Sequence, residues 1–252
     1  SANQNSVNFV AWAWKADDNE PTINDTGSID SIVSANASAG FSISKFTGTG
    51  ANATVGHGLS ASPEFVIIKN ASASGSWLTW HKDYGGGDKY IYLDSTNQVL
   101  SQSQFFNSTV PTSSVFSIGT THEVNASSEK YVAYCFAEKT GFCKIGSYTG
   151  NGSTNGPFIN TGFRPSFVVW KRTNDVGRWE VIDNKRDTFN VSTHGLTWNF
   201  NGAENTGGGY WDIDMVSNGF KPRATEVETN ASGYKFLYMA FAESPFKYAN
   251  AR

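Results

Sequence analysis

Residues 41–70 read FSISKFTGTGANATVGHGLSASPEFVIIKN, and residues 143–172 read CKIGSYTGNGSTNGPFINTGFRPSFVVWKR. Pro63 aligns with Pro165, Phe65 with Phe167, Lys69 with Lys171 and Trp77 with Trp179, each pair 102 residues apart (165−63). The register holds without a gap. A unit written twice at that length is a module the size of a domain. Both copies also close alike: residues 131–138 read YVAYCFAE and residues 236–243 read FLYMAFAE, now 105 apart (243−138). A third copy of the closing segment, FVAWAWK at residues 9–15, opens the chain with no body before it. We therefore expect the chain to be the end of a longer array or of a larger polypeptide.

The closing segments alternate. Val132, Tyr134 and Phe136 point one way, and Tyr131, Ala133, Cys135 and Ala137 the other. Period two, with large side chains on one side and small ones opposite, predicts a strand buried on both faces. Residues 64–69 and 166–171 are β-branched and aromatic between polar turns, and read as central strands. Further strands are expected at 41–47, 76–81, 89–94, 115–118, 142–148, 178–183, 195–200 and 211–215, divided by turn signals such as Gly85-Gly86-Gly87 and Asn218-Gly219. No helical periodicity competes. The expectation is an all-β chain of two tandem β-sandwich modules. Its parts are 1–40, a closing strand of a preceding unit plus a linker; 41–138, the first module; and 139–252, the second. Residues 138–142 leave room only for a tight turn between the modules.

Composition agrees. A chain of 252 residues holds two such modules, each with its own core. Aromatics make up 14% and charged residues only 16%, the balance of an extracellular or virion β protein and not of one with exposed helices. A net charge of −3 without a basic run offers no footprint for nucleic acid, and no apolar run is long enough for membrane insertion as a helix. Cys135 occupies a slot that is Ala13 and Ala240 in the other copies, which favours a buried free thiol. The hairpin spacing to Cys143 leaves a cross-strand disulfide open as the alternative. Nine Asn-X-Ser/Thr sequons occur, among them Asn36, Asn70 and Asn125, and several abut core strands. In a chain so rich in these residues we read them as chance and not as glycan sites.

The ordered words TGNG, NTGFRPSFVVWKR, SNGFK, YVAYCFAE and AFAESPFKYANAR resemble the C-terminal repeat of tail and fibre proteins of marine tailed phages, cyanophages among them, often found downstream of laminin-G-like domains. The resemblance runs from Phe9 to Arg252. It implies a virion protein on the tail or particle surface, with other virion proteins as partners and a homo-oligomer, a trimer by analogy with fibres. It carries no established enzymatic site. The first copy departs from the pattern where Phe163-Arg164-Pro165 becomes Ser62-Pro63 after Leu59, and where Asp183 to Asp187 becomes His81 to Gly85.

Among candidate sites, Trp77 and Trp179 recur at matched positions and read as core. Trp198 and Trp211 lie near Gly-rich loops without counterparts in the first copy, so they divide between core and sugar-stacking platforms. The charged cluster around Asp183 and Arg186 is either a polar rim contacting ligand or a solvated turn. Asp17, Asp18 and Glu20, or Asp212 and Asp214, could gather calcium, though neither group forms an EF-hand loop. The four histidines lack metal-ligand spacing, and no nucleophile elbow or HExxH motif is present. The reading is a non-enzymatic adhesin module of a tail fibre or tail tip that binds host surface polysaccharide. The alternative is a capsid or tail decoration protein without a ligand. A polysaccharide-degrading tailspike using Asp212 with Asp214, or Glu226 with Glu228, ranks below both.

Overall fold

The structure is a computed structural model and describes residues 5–6 and 9–243; the last residues of the expected second module, 244–252, lie outside the described residues. It is all-β, built of antiparallel sheets. In the first half the strands are β1 (Thr22–Asn24), β2 (Ser31–Asn36), β3 (Phe41–Thr47), β4 (Ala53–Gly56), β5 (Phe65–Asn70), β6 (Leu78–His81), β7 (Lys89–Tyr92), β8 (Leu100–Ser101), β9 (Val115–Ile118) and β10 (Lys130–Phe136). In the second they are β11 (Cys143–Thr149), β12 (Ile159–Asn160), β13 (Pro165–Arg172), β14 (Trp179–Asp183), β15 (Gly195–Thr197), β16 (Ile213–Val216), β17 (Gly219–Pro222) and β18 (Lys235–Ala242). The helices, Ser103–Phe106 and His122–Asn125, are single turns.

One main sheet runs β1-β2-β3-β10-β5-β6-β7-β8, the other β11-β18-β13-β14-β15. Two small sheets, β4-β9 and β12-β17-β16, complete the set. β10 lies between β3 and β5, with Cys135 opposite Ser42 on one side and Val66 on the other. β18 lies in the same way between β11 and β13.

The alternation along β10 and β18 divides the interior. Tyr131, Ala133 and Cys135 join Val55, Phe116 and Ile118 of the small β4-β9 sheet in a core drawn only from the first half. Phe236, Tyr238 and Ala240 join Ile159, Ile213 and Phe220 in a core drawn only from the second. The opposite faces meet each other: Phe41, Phe65, Ile67 and Phe136 pack with Ile145, Phe167, Trp179, Met239 and Phe241 in a central cluster common to both halves. Hydrogen bonds cross this boundary, from Trp179 Nε1 to the Tyr92 carbonyl (3.0 Å), from Val99 N to Thr173 O (2.9 Å) and from Gly177 N to Thr96 O (2.8 Å). Lys82 bridges Glu138 (2.8 Å) and Glu64 (3.3 Å), and Glu138 also binds Lys144 (2.8 Å).

Two expectations are corrected. Residues 17–40 are not a linker: β1 and β2 extend the first main sheet, Thr22 opposite Val33 and Ser31 opposite Phe46. A strand with one face on a core needs only every second side chain inward, and in β2 Ser31 and Val33 are buried while Ile32 faces out. Residues 9–15 do not form a strand, because the central places of both main sheets are held by β10 and β18. Instead, Trp12 and Trp14 drive edge-on into the central cluster, with Trp14 5.5 Å from Phe167 and 5.4 Å from Phe241 between ring centroids. Cys135 and Cys143 are buried free thiols, the favoured reading, and the alternative disulfide is not formed. Cys135 faces the first-half core and Cys143 the central one, so the thiols lie in different layers.

Candidate functional site

The site begins at β14, where Glu180 stands between Trp179 and Val181 in the strand WEVID, opposite Thr197 of β15. The chain leaving β15 carries Trp198, Phe200, Tyr210 and Trp211 and is fastened back at several points. Gly195 and Asn205 exchange two backbone hydrogen bonds of 3.0 Å. Trp198 N donates to the Trp179 carbonyl (2.9 Å), Trp179 N to Asn199 Oδ1 (3.0 Å), and Thr229 Oγ1 to the Tyr210 carbonyl (2.8 Å). A Cβ on Gly195 would sit 2.1 Å from the Trp211 ring, so only glycine lets that indole lie against β15.

These attachments enclose a groove of about 420 Å³, within the range of small-molecule sites. Phe200, Tyr210 and Trp211 form its aromatic wall, with Phe200 52% and Tyr210 59% exposed. Arg178, Glu226 and Glu228 supply its charged border. The Arg178 guanidinium lies 4.5 Å over the Phe200 ring. A second depression of about 450 Å³, which shares Phe200, is lined by Asp94, Trp198, Asn199, Phe200 and Asn201.

Glu180 lines the groove but is fully buried. Its Oε2 accepts a hydrogen bond from Thr197 Oγ1 (2.7 Å), and its Oε1 has no partner among the described residues. Burial raises its carboxyl to about 7; Glu228 adds to the rise, while the Thr197 bond, Arg178 and Lys171 oppose it. Lys171 is buried behind it, donating to the Gly177 carbonyl (2.5 Å), and desolvation lowers its ammonium to about 8. Glu228 is already engaged, its Oε2 accepting from Arg178 N (3.2 Å). Such a floor sets a buried carboxyl that stays protonated into the mildly acidic range beneath an aromatic wall.

Of the residues singled out from sequence, Trp211 lines the groove and Trp198 the second depression, where it stacks on Trp179 at 6.3 Å and 27°. Asp183 and Arg186 reach neither. They form an internal knot: Arg186 Nε donates to Asp183 Oδ2 (2.9 Å), as does Trp12 Nε1 (3.2 Å), while Arg186 NH1 reaches Glu204 (2.9 Å). Their task is to moor the N-terminal segment. Asp214 pairs with Arg223 (3.1 Å) and Asp212 accepts from Gly209 N (2.8 Å), so that carboxylate pair serves a turn, whereas Glu226 and Glu228 belong to the groove. Asp17 is bonded to Asn19 and Asp18 to Lys15; among the described residues no three His, Cys, Asp or Glu side chains converge as a metal site requires. Sequence reasoning missed Glu180, Arg178, Phe200 and Tyr210. The one available signal was a carboxylate between Trp179 and Val181 in an expected strand.

The model of a family described as a domain of unknown function, DUF7483, matches residues 1–245. No curated protein and no solved structure matches the chain.

Proposed function

The chain belongs to the DUF7483 family, a domain of unknown function, and we propose that it is a carbohydrate-binding adhesin module of a tailed-phage virion, carried on a tail fibre or tail tip. The observation that carries the binding assignment is the groove in which exposed Phe200 and Tyr210 stand beside Trp211, bordered by Arg178, Glu226 and Glu228. Aromatic faces pack against the C–H faces of sugar rings, and a few polar groups at the border fix orientation. The place on a virion rests on the sequence resemblance. A homo-oligomer, trimeric by analogy with fibres, would present several grooves at once and convert weak contacts into avidity.

We further propose that the two halves are copies of one sandwich module. Several matched details support this. β3-β10-β5-β6-β7 has the same order as β11-β18-β13-β14-β15. Lys69 donates to Gly75 O and lies 5.9 Å over Trp77; Lys171 donates to Gly177 O and lies 5.9 Å over Trp179. Asn125 and Asn230, both fully buried, bond the loops after the matched strands β3 and β11. The groove belongs to the second copy alone, so on this reading one module kept the scaffold and the other gained a site.

A glycan array with the intact chain tests the function. Binding to envelope-type polysaccharides, lost on Tyr210→Ala, supports the adhesin. Silence across the array and on whole host cells favours a decoration protein without a ligand. Release of reducing ends from a bound polysaccharide, abolished by Glu180→Gln, would instead make the groove a hydrolase site, a reading favoured by the raised carboxyl of Glu180 beside two further carboxylates.

A further inference from the structure

The two depressions are not independent. Phe200 lines both, with Trp211 and Tyr210 on one side and Trp198 on the other. We propose that they form one extended site, astride Phe200, for the interior of a linear glycan that is uncharged or carries amino groups. The proposal rests on the carbohydrate reading of the groove and specifies its ligand.

Length follows from the geometry. A site for a single terminal sugar needs one pocket closed at its end. Here two depressions of about 420 and 450 Å³ share a wall residue whose ring is half exposed. A ligand confined to one side would leave the other platform without a partner. Trp198 is held by its backbone bond to Trp179 and by stacking on that buried indole, so the second platform is as fixed as the first.

Charge follows from the border. Glu226 and Glu228 face the first depression and Asp94 the second; of the lining residues only Arg178 is a cation, already stacked on Phe200, while Arg172, buried beside the groove, lies 4.0 Å from Glu228 and leaves Glu226 and Asp94 as the uncompensated carboxylates. Beneath them lies Glu180, buried with its Oε1 unpartnered among the described residues, and Lys171 behind it is turned to the Gly177 carbonyl. A uronate or sialate would bring its carboxylate against this set at a cost, whereas an ammonium or a hydroxyl would not.

Isothermal titration of the intact chain with defined oligomers tests this. The probes are N-acetylglucosamine and galactose oligomers from one to six residues, chitosan oligomers of the same lengths, and oligogalacturonides. Affinity should rise at least tenfold from mono- to tetrasaccharide in a neutral or amino series, with oligogalacturonides at least tenfold weaker. Phe200→Ala should flatten the length dependence, and Glu226→Lys, a partly exposed position, should admit the acidic oligomers. A monosaccharide binding as well as its tetramer overturns the extended site. Oligogalacturonides binding as tightly as neutral oligomers overturn the charge assignment, and in both cases the carbohydrate reading stands. No heat from any saccharide removes that reading and this inference together.

Discussion

Two buried titratable residues pull stability in opposite directions over one pH window. Glu180 is raised from an ordinary 4.5 to about 7, so between those values the folded chain holds a proton that the unfolded chain releases, and stability falls as pH rises. His81 is lowered by burial from 6.5 to about 4, so there the unfolded chain holds the extra proton, and stability rises with pH. Their sum should leave the intact protein nearly level from pH 4.5 to 6.5. Urea unfolding across that range should show stability climbing with pH in Glu180→Gln and declining in His81→Leu, each by an order of 1–3 kcal/mol; parallel profiles for the two variants would contradict the assignment. The residue scale was the least legible in sequence. Trp211 and Trp198 stand out because the first half of the sequence offers no counterpart, but exposure of Phe200 and Tyr210 depends on how the 198–211 loop is fastened to Trp179 and Thr229, which no local pattern records. Sequons were better served: Asn70, Asn125 and Asn230 are buried with their amides hydrogen-bonded, so none is open to a glycan.

Strands that carry dense period-two patterns could be located from their residues, and those that owe their existence to a neighbour could not. Val115–Ile118 was placed as it stands, and Cys143–Thr149 and Trp179–Asp183 within one residue. β1, β4, β8 and β12 are two to four residues long and are defined by the ladder they join, so their own residues say little. The opening segment shows the converse. Residues 9–15 have the words of a closing strand, yet each sheet already holds one, and the two indoles go to the central cluster instead. Trp14 is half-buried, so Trp14→Ala should cost about 2 kcal/mol, less than the ~3–5 of a fully buried aromatic. Chemical denaturation of the intact chain measures it, and an unchanged midpoint would mean the segment is not docked. The cysteines offer a second check at this scale. Burial raises both thiols well above their ordinary value, and both are shielded. A thiol reagent should find neither in the native protein and both after unfolding.

At the scale of the whole molecule, the main sheets are covered on one face by their own small sheets and on the other by each other. A chain so built should unfold in one cooperative step, since separating the halves exposes Phe41, Phe136, Phe167, Trp179 and Phe241 together. Residues 139–243 expressed alone should self-associate or precipitate through that face; a well-behaved monomer with native near-ultraviolet dichroism would show the halves to be independent. This shared interior was only partly legible. The large side of β10 and β18 announced a second buried face, but not that its cover would be the other half. Between the packed Trp198 and Trp211, residues 200–210 lie outside the three cores, so their sequence can vary at little cost to the interior, as the proposed binding surface requires.

Amide hydrogen exchange of the intact chain, with and without a saturating neutral oligosaccharide, tests the binding assignment most directly. Slowed exchange confined to residues 197–211 and 226–228, with β1 and β2 unchanged, is the predicted result. Exchange unaltered in those segments, or slowed only at another surface, would contradict it.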